Sequence, residues 1–297
     1  MSNMKLDNVK LRRAAFLSLA TLGVALTASA NVTNAPAACP AHLDWKGKKV
    51  AIFGDSISDK KIKSWRHWWR YLADLTGMEP LVYAKNGWQW SGVSRQVDEL
   101  AKSGEDPDAI MILMGTNDFN SDIPLGVWWK VVAESVNRDG QMVVCRKRVL
   151  DYSPNTVRGR INTAMKLLKE RYPDRQIVLL TPIHRGFFTC GEKNVQPDEA
   201  YANALGLWID DYVACVREAG PIWSVPVIDL YSESGLMPSL APYGRFFNRA
   251  DTDLLHPNSD GARRMADVIA ARLATMPATF RDSSIPPASV QERLSAR

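Results

Sequence analysis

Lys49-Val50-Ala51-Ile52-Phe53-Gly54-Asp55-Ser56-Ile57-Ser58 is the stretch on which the reading of this chain turns. A short run rich in Val and Ile, closed by a turn signal, has the pattern of a strand covered on both faces. The serine that follows the glycine stands where a strand would give way to a helix. There its hydroxyl projects above the carboxyl edge of a sheet, near helix-start N–H groups that favour developing negative charge.

Four similar runs lie further along, at Leu81 to Ala84, Ala109 to Met114, Gln176 to Leu180 and Val225 to Leu230. Between them apolar residues recur at helical spacing: Val157, Ile161, Met165 and Leu168; Leu205, Ile209, Tyr212 and Val216; Ala262, Met265, Ile269 and Leu273. Strand–helix alternation implies parallel strands joined by right-handed crossovers. The expected fold is therefore α/β, a three-layer α/β/α sandwich around a five-stranded, mainly parallel sheet, in one domain over residues 48–276. Two stretches exceed the usual connection of roughly 2–6 residues. Residues 119–154 contain the turn signal Asn137-Arg138-Asp139-Gly140 and then strand-like residues, so a hairpin excursion is expected there, with a lid as one use for it. Residues 186–197 carry Cys190. Both stretches would leave the sheet at the carboxyl ends of strands, where open α/β sheets place ligands.

The chain has 297 residues, 46% hydrophobic and 23% charged, the balance of an ordinary globular protein. Residues 1–30 read as a secretory signal peptide. Lys5, Lys10, Arg12 and Arg13 precede an apolar run from Ala14 to Ala28, and Ala28-Ser29-Ala30 offers a cleavage site. The run is shorter than the roughly 20 residues of a stable membrane span. Export to the periplasm, cell surface or medium is expected, followed by an exposed lead-in over residues 31–47 and a mobile or surface-draped tail over residues 277–297. Removing residues 1–30 takes four basic and one acidic residue from totals of 37 and 32, leaving 33 and 31, a net charge of +2. So near a balance is no nucleic-acid footprint. Cys39, Cys145, Cys190 and Cys215 allow three disulfide pairings, and without CxxC or HxxxH spacing no metal site is expected. No Gly-rich phosphate loop is present, and no cofactor is implied.

Three further elements join Gly54-Asp55-Ser56. The third run ends in Gly115-Thr116-Asn117-Asp118, whose asparagine amide could face an oxyanion near the first strand. The second leads into Asn86-Gly87-Trp88-Gln89-Trp90-Ser91-Gly92-Val93-Ser94, where a glycine permits close backbone approach. Ahead of the last helix stands Asp253-Leu254-Leu255-His256-Pro257, in which a neutral imidazole could take a serine proton while the aspartate in the same loop holds its other nitrogen.

In this order and register the four elements resemble an SGNH (GDSL-type) hydrolase, over roughly Lys48 to Leu273. The resemblance implies a flavodoxin-like hydrolase fold and a serine esterase with Ser56 as nucleophile, His256 as base and then acid, and Asp253 orienting it. It also implies an oxyanion hole made by the Ser56 and Gly92 backbone N–H groups and the Asn117 side chain, with Gly87 the alternative to Gly92. The sequence departs from the family's frequent glycine after the serine, having Asp59, Lys60 and Lys61 instead. Trp88, Trp90, Trp128 and Trp129, in segments that follow the second and third strands, are candidates to stack on sugar rings. His184 and Arg185, after the fourth strand, are candidates to contact substrate. Export together with these tryptophans points to a carbohydrate O-acetylesterase acting on a small-molecule or polysaccharide ester. The alternatives are a lipase, lysophospholipase or thioesterase with the same triad, and a non-catalytic carbohydrate-binding relative.

Overall fold

The structure is a computed structural model and describes residues 45–277 and residue 280. The expected signal peptide, Cys39, residues 31–44 of the lead-in and the tail beyond Pro277, save Phe280, lie outside the described residues.

In chain order the elements are β1 (Lys49–Gly54), α1 (Trp68–Thr76), β2 (Glu79–Val82), α2 (Val93–Ser103), β3 (Ala109–Leu113), α3 (Thr116–Asn120), β4 (Trp129–Arg138), β5 (Gln141–Leu150) and α4 (Val157–Arg171). They continue with β6 (Gln176–Leu180), β7 (Phe188–Thr189), β8 (Val195–Gln196), α5 (Ile209–Trp223), β9 (Val227–Ile228), α6 (Leu230–Glu233), β10 (Phe247–Arg249), β11 (Asp253–Pro257) and α7 (Ser259–Thr275). Five strands form a parallel sheet in the order β2-β1-β3-β6-β9.

The period-two alternation of each central strand divides its side chains between two cores. Val50 and Ile52 of β1, with Met111 and Leu113 of β3, face α1 and α7 and pack on Trp68, Leu72, Met265 and Ile269. Ala51 and Phe53, with Ile110 and Ile112, face α2, α4 and α5 and pack on Val97, Ile161, Met165 and Val216. The result is the three-layer α/β/α sandwich with its five-stranded parallel sheet. Continuous apolar runs, rather than alternating ones, are what such doubly covered strands require.

Two features differ from the sequence reading. The Asp253–His256 segment is a strand rather than a loop. It belongs to a small antiparallel sheet in the order β10-β11-β7-β8, which recruits part of the 186–197 stretch. The pairing is carried mostly by backbone groups, as in Gly186 N–H to Leu254 O and Leu254 N–H to Phe187 O, which side-chain patterns do not encode. The ninth strand is also only two residues long, against the six of Val225 to Leu230. Within 119–154, β4 and β5 form a ten-residue antiparallel pair closed at Asp139-Gly140. Among the described residues Cys145, Cys190 and Cys215 form no disulfide with one another. Among the described residues no helix is long and apolar enough to cross a membrane, and no cluster of three His, Cys, Asp or Glu side chains could hold a metal ion.

Asn258 fixes the entry to α7 directly after His256. Its Oδ1 accepts the Asp260 and Gly261 N–H groups, capping the helix, while its Nδ2 donates to the Arg245 and Phe247 carbonyls. Asn258→Ala is expected to lower stability by about 1–2 kcal/mol, as loss of a good N-cap does. A urea-unfolding midpoint equal to that of the wild type would contradict this anchoring role.

Candidate active site

Ser56 sits in the turn directly after β1, and the end of that strand is held from both sides. Gln96 of α2 accepts the Gly54 N–H through Oε1 and donates to the Gly54 carbonyl through Nε2. A Cβ at position 54 would lie 2.8 Å from the Leu113 carbonyl oxygen, so β1 and β3 run too close there for any side chain. Beyond Ser56, the Trp68 indole donates to Ser58 Oγ and the Trp69 indole to the Ser58 carbonyl, tying the turn to α1.

His256 Nε2 lies 2.9 Å from Ser56 Oγ. On the other side of the ring, Nδ1 is 3.0 Å from Asp253 Oδ1 and 3.1 Å from Oδ2. With Nδ1–H donating to the carboxylate, Nε2 is left as the acceptor for the serine hydroxyl. The Asp253 carboxylate also receives the Leu255 and His256 backbone N–H groups and the Asn248 amide. Burial works to raise the pKa of Asp253, but the hydrogen bonds and charge of His256, with the Asn248 amide, outweigh it and hold the group below its ordinary value. All three side chains are buried. The structure thus brings together Ser56, Asp253 and His256.

Two aromatic side chains clamp the imidazole. Trp65 stacks on it with ring centroids 5.5 Å apart and planes 26° apart, and Phe188 of β7 meets it edge-on at 5.2 Å. Neither role was legible in the sequence. Phe188 comes to His256 only because β7 pairs with β11.

Asn117, the second residue of α3, donates from Nδ2 to the Trp88 carbonyl at 3.0 Å, and its other amide hydrogen has no acceptor among the described residues. The neighbouring Asp118 is buried and accepts the Trp90 N–H and the Arg160 guanidinium, which also reaches Gln89. Through this ion pair α4 locks the β2–α2 loop against α3. The Ser56 backbone N–H has no acceptor among the described residues. The expected Gly92 donor requires correction: its N–H already donates to the Gln89 carbonyl at 2.8 Å, closing a tight turn. Glycine is needed here for another reason, since a Cβ would lie 2.6 Å from Cε3 of the Trp88 indole. The N–H of Gly87 is uncommitted among the described residues.

The substrate-contact candidates also need correction. Trp90, 1% exposed, packs in the core beneath α2, and its burial removes it from any sugar-stacking surface. Trp128 is likewise buried in that core, its indole N–H spent on Glu218. Arg185, 1% exposed, is not on a rim: it is packed over the Phe119 ring and donates to Gln196, and burial lowers its pKa to about 10 against the opposing charges of Glu199 and Asp198. His184 is paired with Glu199 at 2.6 Å and stacked on Tyr231 at 3.7 Å, so both its nitrogen Nδ1 and its ring face are occupied. Of the four tryptophans two stay half-buried: Trp88, close to Asn117, and Trp129, which lies on β4 rather than in a loop, with Arg148 over its ring.

The sequence between residues 52 and 264 matches the model of the GDSL-like Lipase/Acylhydrolase family. No curated protein matches the chain in sequence. Among solved structures, a protein from Lactobacillus plantarum is 22% identical with a TM-score of 0.60, over 78% of this chain and 99% of that one. A possible lipase from Chitinophaga pinensis is 20% identical with a TM-score of 0.58, over 77% of this chain and 98% of that one. At such identities these likenesses concern the fold.

Asp55 and Asp118 supply a test of the buried electrostatics. Burial pushes both carboxyls from 3.8 up to about 6, and Asp55 Oδ2 has no hydrogen-bond partner among the described residues. A carboxyl whose folded pKa exceeds its unfolded value contributes stability fully present below the unfolded value and lost as pH rises through the folded one. Asp55→Asn keeps an acceptor for the Ile57 N–H and cannot ionise. Relative to wild type, this variant is expected to gain of order 1–3 kcal/mol between about pH 4 and about pH 7.5. A difference in thermal melts that stays constant over that range would contradict the buried-acid assignment.

Proposed function

The chain belongs to the GDSL-like lipase/acylhydrolase family and is an ester hydrolase; from that premise we propose that it cleaves short acyl esters of a polar alcohol, as an exported carbohydrate O-acetylesterase, with Ser56, His256 and Asp253 as its triad. The observation that carries the triad assignment is the unbroken hydrogen-bond chain from Ser56 Oγ through the imidazole to the Asp253 carboxylate.

In this reaction Ser56 Oγ attacks the ester carbonyl carbon as His256 Nε2 takes the hydroxyl proton. A serine hydroxyl needs such a base within roughly 2.6–3.2 Å, because it is a weak nucleophile at its own pKa. The carbonyl π electrons move to oxygen, and the resulting oxyanion meets the Ser56 N–H and the second hydrogen of the Asn117 amide. A third donor would come from the loop after β2, where the Gly87 N–H is uncommitted. The imidazolium, its charge stabilised by the carboxylate of Asp253, then gives its proton to the departing alcohol. Water repeats the sequence on the acyl-enzyme, releasing the acid and restoring Ser56.

The preference for a polar alcohol rests on the surface beside His256. Trp65, which stacks on the imidazole, also lines a cleft of about 540 Å³ whose other walls are Ile62, Lys63, Ser64, Arg66, His67, Arg70 and Ser259. Trp65 itself is buried as a wall rather than offered as a stacking face, and the cationic and hydroxyl groups of Lys63, Ser64, Arg66, Arg70 and Ser259 suit a hydroxyl-bearing alcohol better than an acyl chain. Half-buried Trp88 offers an aromatic edge on the Asn117 side.

Ser56→Ala is expected to abolish ester hydrolysis while leaving the thermal melt unchanged; near-wild-type turnover in that variant rejects the nucleophile. Asn117→Ala is expected to lower kcat about 100- to 1000-fold with little change in KM, as for loss of one oxyanion donor. An unchanged kcat removes Asn117 from that role. In a panel of esters graded by acyl length, acetylated xylan and acetylated glucosides should be favoured, and a preference for long-chain acyl glycerides would assign a lipase instead.

A further inference from the structure

The β4–β5 hairpin is out of proportion to what supports it. Both strands are ten residues long and exposed along most of their length. An isolated two-stranded ribbon is marginally stable in water, and exposed aliphatic side chains on it are an unfavourable surface. The pairing register sorts its side chains. One face carries Trp129, Val131, Ala133, Ser135 and Asn137 opposite Leu150, Arg148, Arg146, Val144 and Met142.

On that face Val131, Met142 and Val144 are 53%, 68% and 73% exposed. Arg146 and Arg148 stand among them, and no carboxylate shares the face. Arg148 lies over the Trp129 ring, and Arg146 has no ion pair among the described residues. The carboxylate of β4, Glu134, points to the opposite face, where it is paired with Lys147.

We propose that this face is a docking surface for an anionic lipid bilayer, with Met142, Val144 and Val131 entering the headgroup–acyl boundary and Arg146 and Arg148 meeting lipid phosphates. Charge complementarity selects the partner. Two copies of the chain meeting through this face would oppose arginine to arginine with no acid between them, whereas an anionic leaflet attracts each basic residue. The apolar part discriminates further. Valine and methionine side chains gain from burial at an acyl boundary but cannot stack on sugar rings, so a bilayer fits them better than an acidic polysaccharide. The inference does not rest on the ester-hydrolase chemistry, and none of the hairpin residues belongs to the site around Ser56.

Vesicle co-sedimentation of the full chain tests it, using phosphatidylglycerol–phosphatidylcholine vesicles against pure phosphatidylcholine ones. Residues 1–30 are themselves basic and apolar, so the readout is the difference between wild type and variants that share them. Arg146→Glu/Arg148→Glu is expected to weaken binding to the anionic vesicles at least about tenfold. Met142→Ser/Val144→Ser should also weaken it, while both variants hydrolyse p-nitrophenyl acetate at the wild-type rate. If the arginine variant proves unfolded, the serine variant decides alone. Equal sedimentation of wild type and folded variants overturns the proposal. So does hairpin-dependent binding to polygalacturonate, or hairpin-dependent dimerisation by light scattering, without a difference on vesicles.

Discussion

The hydrogen bond from Ser56 Oγ to His256 Nε2 joins side chains 200 positions apart, and much of the architecture is organised so that it can form. One end is fixed by β1, pinned between β2 and β3 and gripped at Gly54 by Gln96. The other is fixed by β11, paired on either side with β10 and β7 and followed at once by the Asn258 cap. A serine on a rigid strand end and a histidine on a short braced strand lose little further freedom when they meet. That pre-organisation is what positioning contributes to a reaction barrier.

Burial gives the constraint its strength and also its cost. An ionised carboxylate such as Asp253 is tolerable in a closed site only because backbone N–H groups, the Asn248 amide and the imidazole together satisfy it. The same bargain recurs on the oxyanion side, where buried Asp118 is balanced by Arg160 and the Trp90 N–H. Because Arg160 comes from α4, the packing of an outer helix reaches the loop whose Trp88 carbonyl orients the Asn117 amide. Polar networks of this kind specify a single arrangement when every member is satisfied. Asp55, which sits directly beside Ser56, has one buried oxygen with no partner among the described residues.

The sheet could be read from sequence because parallel strands buried on both faces leave unbroken apolar runs, as at Ala51–Phe53 and Ile110–Ile112. That the ends of β1 and β3 lie side by side could be anticipated because strand ends converge on one edge of such a sheet, whereas the meeting of Ser56 with His256, which stands on a separate antiparallel sheet, followed from the family resemblance alone. Other features could not. Whether an indole is core or surface depends on what packs over it, so Trp90 and Trp128 gave the same local signal as half-buried Trp88. Arg185 looked like a rim charge because nothing in its neighbourhood announces the Phe119 and Gln196 packing. Commitment of the Gly92 N–H to a tight turn, and the antiparallel sheet that delivers Phe188 to His256, are backbone events with no side-chain signature. Trp65 lies 191 positions from the histidine it covers, with no periodic pattern to connect them.

Reaction of the chain with a fluorophosphonate, followed by peptide mapping of the adduct, tests the proposed linkage most directly. Such a probe reports a serine activated by a nearby base. The expected result is a single stoichiometric adduct on Ser56, lost in His256→Ala and unchanged when Trp128, deep in the opposite core, is replaced by Phe. No labelling of the folded wild type, or labelling of Ser56 at the same rate without His256, would contradict the account.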